Sequence, residues 1–112
     1  MTIREIAERI DALVYAAPEQ LDNDLTGAFA SDMMSDVLAY GEGHAVLVTG
    51  LLNPQIVRTA HMLDMSCIIV VRGKVASEEI KNLAAANEIA LLETKMTMFE
   101  TCGILYEGGL RK

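Results

Sequence analysis

Three short stretches, Thr49-Gly50, Arg72-Gly73 and Glu93-Thr94-Lys95, each close an apolar run, and each is soon followed by a residue suited to start a helix: Asn53, Ser77 and Thr97. Glycine after a strand permits close backbone approach, and the first turn of a helix offers unpaired N–H groups with partial positive charge, so anions bind there readily. Arg72 and Lys95 would add full charges for a phosphate or carboxylate. The chemistry these residues could do is capture of a small anion. The candidate ligand-binding set is Thr49, Gly50, Asn53, Arg72, Gly73, Thr94, Lys95 and Thr97. The same residues also serve as plain turns and caps at the equivalent edge of any α/β domain.

Nothing comparable supports catalysis. The chain has no G-x-x-x-x-G-K-[ST] phosphate loop, no G-x-G-x-x-G and no G-x-S-x-G. The "GEGH" at 41–44 precedes a strand and reads as a turn. His44 and His61 have no cysteine or carboxylate at ligand spacing, and Cys67 and Cys102 fit no metal pattern. No catalytic residue, metal ligand or cofactor is therefore expected. Asp32 and Asp36, at i and i+4, read as solvated acids on one helix face. The methionines at 33, 34, 62, 65, 96 and 98 suit either core filling or an adaptable binding surface.

For the three stretches to share a rim, their strands must be neighbours running the same way, and the element pattern predicts this. Residues 45–50, 67–73 and 89–94 read as strands, each followed by a helix after a short link. That rhythm belongs to parallel sheets with right-handed crossovers. "CIIVVRG" at 67–73 is apolar on both faces and reads as a central strand. The helices between carry Asn53 as cap with Pro54 at the first position and an apolar face of Ile56, Val57, Ala60 and Leu63, then Ser77 as cap with Ile80, Leu83 and Ala84 inward. Thr97 and Glu100 form a capping box opening a helix through Met98, Phe99, Cys102, Leu105 and Tyr106, stopped by Gly108-Gly109. The first half reads as a capped amphipathic helix at 2–10, with Thr2 and Glu5 as its capping box and Ile3, Ile6, Ala7 and Ile10 as its stripe. A short strand at 12–16, a loop through Pro18 and 22–24, and a strand at 25–30 with Gly27 marking a bulge or close approach come next. A helix at 31–41 follows, capped by Ser31, burying Met34, Val37 and Leu38, and stopped by Gly41. The expected fold is a single α/β domain over 1–112: about five strands in two or three layers, helices on both sides, the last three strands parallel.

Length and composition fit that reading. The chain of 112 residues can bury a real core, and its 52% hydrophobic content suits a covered parallel sheet or apolar surface held against a partner. A formal charge of −7, with scattered basic residues, argues against nucleic acid or an anionic membrane as partner. Two cysteines without a disulfide pattern imply reduced thiols and a cytoplasmic location. The start, "MTIREIAERID", lacks the apolar segment of a signal peptide, and the longest apolar run, 67–71, is too short to span a bilayer.

"DLTGAFASDMMSDVL", "AVLVTG", "IIVVRGK" and "ALLETKMTMFETCGILY", in this order, resemble the DRTGG domain family over about residues 3–110. The most specific part is a strand ending in Thr94 followed by Thr97-Met98-Phe99-Glu100 opening a helix. The next is Thr26-Gly27 with its small-residue strand. The resemblance implies an α/β fold similar to the N-terminal domain of HPr kinase/phosphorylase, which carries no kinase chemistry. It implies a regulatory role, since DRTGG domains also lie between CBS domains of some pyrophosphatases and help build their dimer. Stand-alone members occur in anaerobic bacteria, some beside iron-hydrogenase genes. The chain departs from the family after Gly50: Leu51-Leu52-Asn53-Pro54 stand where many members have an acidic residue and Arg, so a ligand contact by that Arg does not carry over. The expectation is a homodimeric, non-catalytic sensor of an adenine nucleotide or other small anionic metabolite. The competing expectation is a protein–protein adaptor for a redox enzyme system with no small ligand.

Overall fold

The computed structural model describes residues 1–111. Five strands, β1 (Leu13–Val14), β2 (Gly27–Ala30), β3 (Ala45–Thr49), β4 (Cys67–Val70) and β5 (Ala90–Glu93), form one sheet in the order β1-β5-β4-β3-β2. β2 to β5 are all parallel, and β1 joins β5 antiparallel. Same-direction alignment of the last three strands is therefore as expected, and the parallel block extends one strand further. β4 is central, as its two-faced apolar pattern requires.

The helices are α1 (Ile3–Arg9), α2 (Met34–Tyr40), α3 (Gln55–Met62), α4 (Glu78–Ala86) and α5 (Met98–Glu107). Because β2, β3, β4 and β5 advance across the sheet without reversal, right-handed crossovers put α2, α3 and α4 on one face. That face buries Val37, Ile56, Val57, Ala60, Ile80 and Ala84 against Leu47, Ile68, Val70 and Leu91. The opposite face is left to α1 and α5, whose Ile3, Ile6, Ile10 and Leu105 cover Val46, Val48, Ile69 and Leu92. Alternate strand residues thus serve alternate cores, and the architecture is three-layered.

Both capping boxes form, Thr2 with Glu5 and Thr97 with Glu100, and Ser77 caps α4. Four local expectations are corrected. Ser31 does not cap α2. Its hydroxyl accepts from Met33 N–H (2.9 Å), closing a small turn, so the helix starts later, at Met34. Leu38 does not join the core and is 40% exposed, because α2 spans only seven residues and buries the narrow stripe of Met34 and Val37. Gly27 makes no bulge: it pairs with Ala45 in an unbroken register. Pro54 stands at the helix cap instead of the first position, though Asn53 Oδ1 still accepts from Gln55 N–H (2.9 Å). The methionines divide: Met34 and Met65 are core, whereas Met33 and Met62 are exposed. Among the described residues no helix is long and apolar enough to cross a membrane.

Candidate functional site

Parallel strands deliver their C-terminal ends to one rim, so Thr49-Gly50, Arg72-Gly73 and Thr94-Lys95 do lie along the same edge of the sheet. The helix starts at Asn53 and Ser77 open on the α3/α4 face, while Thr97 opens α5 on the opposite face. The caps therefore straddle the sheet. The rim divides into two parts with different structures.

The first part is occupied by the protein itself. Thr49 is fully buried, and its hydroxyl donates to Asp32 Oδ1 (3.1 Å) while accepting from Leu51 N–H (3.1 Å). Gly50 N–H donates to the same Asp32 oxygen (2.7 Å). Lys74 Nζ donates to the Gly50 carbonyl (2.6 Å). Arg72 Nη2 lies 2.9 Å from where a Cβ on Gly50 would stand, and the two Asp32 oxygens lie 3.5 and 3.6 Å from the same point. The Gly50 hydrogen bond holds the Asp32 carboxyl below the usual carboxylate range. The Thr49 hydroxyl and the charges of Arg72 and Lys74 assist, against the opposing effect of partial burial. Asp32 is exposed, as expected, but it shares no helix face with Asp36. It sits before α2, in the link from β2, and its carboxylate crosses to the end of β3. Sequence reasoning missed this because a contact seventeen residues away has no local periodicity. The signal present was an acid in the Ser31-Asp32 turn between a strand and a helix.

The second part is open. Gly73 N–H donates to the Thr94 carbonyl (2.9 Å) and Arg72 N–H to the Met96 carbonyl (2.7 Å), so the turn after β4 is fastened to the loop after β5. Arg72 and Gly73 both take positive φ, +65° and +69°. Thr94 is buried, and its hydroxyl donates to the Ile10 carbonyl (2.7 Å) and accepts from Met96 N–H (3.2 Å). That bond joins β5 to the turn between α1 and β1. In a sheet whose strand order reverses, the reversal itself opens a ligand crevice. Here β2 to β5 run without reversal, and the crevice comes from β1, whose antiparallel course brings Leu13 beside Glu93 at the rim. The result is a cleft of about 480 Å³ between the α1–β1 turn, β1 and the loops after β4 and β5. Ile10, Leu13, Tyr15, Val75 and Met96 give it apolar walls, and Lys74 and Lys95 supply its cations. The Glu93 carboxylate, also in the wall, accepts from Ala76 N–H (2.8 Å) and fixes the loop that leads into α4. Tyr15 is held by Lys81, whose Nζ stands 3.9 Å from the ring centre.

Of the expected set, Gly73, Thr94 and Lys95 line the cleft. Thr49, Gly50 and Arg72 belong to the occupied part; outside both, Asn53 closes the turn before α3 and Thr97 caps α5. The N–H groups of Gly50 and Gly73 are already engaged, by Asp32 and by Thr94. The cleft's other walls, Ile10, Leu13, Tyr15 and Val75, come from segments with no chemical motif.

Fold and rim define a class: three-layer α/β domains with an apolar, lysine-bearing cleft at the C-terminal ends of a parallel sheet. The chain belongs to the DRTGG domain family, whose model matches residues 5–107. No curated protein matches it in sequence. Its fold is similar to that of a solved structure containing the CBS and DRTGG domains of the regulatory region of Clostridium perfringens pyrophosphatase, complexed with the activator diadenosine tetraphosphate. The TM-score is 0.80 at 18% identity, over 99% of this chain and 50% of that one. This chain thus spans half the length of that regulatory region.

Proposed function

We propose that the protein is a non-catalytic, ligand-sensing regulatory domain that binds an adenine nucleotide or another small anionic metabolite in the cleft beside β1 and β5. The carrying observation is the cleft itself. Its volume lies in the range of small-molecule sites, and it combines apolar walls with two lysines, Lys74 and Lys95, beside the carboxylates of Asp11 and Glu93. A base or other flat group would lie against Leu13, Tyr15 and Val75, with its anionic end toward Lys74 and Lys95. The structural likeness to a regulatory region complexed with a nucleotide activator supports the same class of ligand. Two cysteines without a disulfide agree with a cytoplasmic protein. Thermal and urea unfolding with AMP, ADP and ATP tests the reading. Saturating ligand should add about 2–3 kcal/mol to stability. Tyr15→Ala and Lys95→Glu should remove that gain. No stabilisation by any of the three at millimolar concentration overturns it.

A second reading has its own observation. Phe99 is 87% exposed, and Tyr106, seven residues on and therefore on the same face of α5, is exposed too. This apolar face supports a contact with a protein, either a second copy in a homodimer or a redox-enzyme partner served by an adaptor. Light scattering of wild type and Phe99→Glu at micromolar concentration separates the two: a dimer that becomes monomeric supports self-association, and a wild-type monomer removes it.

A further inference from the structure

The occupied part of the rim has the parts of an anion site, and the anion in it belongs to the protein. One carboxylate oxygen, Asp32 Oδ1, takes both the Gly50 N–H and the Thr49 hydroxyl. Asp32 Oδ2 receives no hydrogen bond among the described residues. Asp32 is itself an exposed residue on a short link, so its carboxylate can leave without disturbing the core. Arg72 stands beside it at positive φ, a conformation that costs a non-glycine residue stability. Main-chain bonds to Met96 and Thr94 hold that turn in place. Yet the Arg72 guanidinium closes no ion pair within 4.0 Å among the described residues. A cation held at conformational cost next to an acid, without pairing to it, leaves room for another group between them. Lys74 joins this place to the cleft: it lines the cleft, and its Nζ reaches the Gly50 carbonyl.

We propose that Asp32 is a resident anion on a polyphosphate subsite. The outer phosphates of a nucleoside di- or triphosphate seated in the cleft reach Gly50 N–H, the Thr49 hydroxyl and Arg72 by displacing the Asp32 carboxylate. The protein then distinguishes polyphosphates from monophosphates, because only the former extend past Lys74. The displaced link leads directly into α2, so the occupant of the subsite is communicated to that helix. The proposal rests on the nucleotide reading of the cleft. It also contains a part that can be read without a nucleoside, since tripolyphosphate alone fits the subsite.

Calorimetric titration of the full chain with AMP, ATP and tripolyphosphate tests it, using wild type, Asp32→Asn, Arg72→Gly and, as an equal-charge control, Asp36→Asn. Removing the competing charge in Asp32→Asn should tighten ATP and tripolyphosphate about tenfold, with AMP changed by less than about twofold. Arg72→Gly, which relieves the positive φ and so should fold at least as well as wild type, should bind ATP no better than AMP. The proposal is overturned if Asp32→Asn binds tripolyphosphate and ATP no tighter than wild type does. It is equally overturned if Asp36→Asn matches the gain, or if Arg72→Gly keeps a preference for ATP over AMP. Failure of AMP to bind any of the four proteins overturns the nucleotide reading instead, and the tripolyphosphate contrast still decides the role of Asp32.

Discussion

Thr49 ends β3 and Thr94 follows β5, two parallel strands on either side of the central β4, and locally they do the same thing. Each hydroxyl accepts from the main-chain N–H two residues on and donates to a distant segment. Their targets differ. Thr49 meets a carboxylate, Asp32, and its part of the rim closes around that charge. Thr94 meets a main-chain carbonyl, Ile10, which pins the α1–β1 turn at the rim and leaves a cleft beneath it. The same strand-end motif thus builds a charged, self-filled pocket at one place and an apolar, open one at another. What separates them is the segment that the long-range fold brings to each hydroxyl.

The contrast can be attacked at each hydroxyl and each glycine. Thr94→Val keeps shape but leaves the Ile10 carbonyl without its buried donor, and should cost about 1–3 kcal/mol in urea unfolding. The cleft should loosen with it, so ligand stabilisation should fall as well. A Thr94→Val protein as stable as wild type would show that the α1–β1 turn is held by packing alone. Gly73→Ala should cost about 1–2 kcal/mol, since φ at that position is +69° although the space around it is empty. Gly50→Ala has the reverse problem: its backbone needs no glycine, but a new Cβ meets Arg72 Nη2 at 2.9 Å. That contact is the end of a flexible side chain, so the cost should stay below about 1 kcal/mol, and Arg72 should swing away. Equal costs for the two alanines would remove the distinction between them. Acid offers a gentler probe of the self-filled part. The folded pKa of Asp32 is depressed, so its contribution is complete above the ordinary carboxylate value and is lost as pH falls through the folded one. The stability difference between wild type and Asp32→Asn should hold steady from neutral pH to about pH 4 and shrink below it. A difference that persists undiminished into strong acid would mean that the Asp32 charge contributes nothing.

How far the site could be read from sequence follows the range of the interactions. Thr97, Ser77 and Thr2 declare themselves as caps because their hydrogen bonds span three residues. β4 reads as central because Cys67 to Val70 are apolar at every position, a pattern only a strand covered on both faces tolerates. Gly73, Thr94 and Lys95 were legible as rim residues for the same reason: they terminate recognisable strands. Leu38 was misplaced because helical spacing shows which residues could face inward, and not whether a neighbouring element lies there to cover them. Asp32 was misread for a related reason. An acid four residues before another looks like a solvated helix face until the helix proves to start beyond it.

The amino-acid order by itself determined the main elements, the caps at Thr2, Ser77 and Thr97, and the parallel run of the last three strands. All of these rest on contacts between residues close in the chain or on one repeating period. Only the tertiary structure decided that β1 lies antiparallel beside β5, which places Leu13 and Tyr15 across from Lys74 and Lys95, and that Asp32 fills the Gly50 corner. A two-residue strand has too little pattern to choose its partner, and a carboxylate cannot show along the chain which N–H it will meet. Those choices belong to the packed sheet, where the last free edge and the last unpaired donor select what joins them.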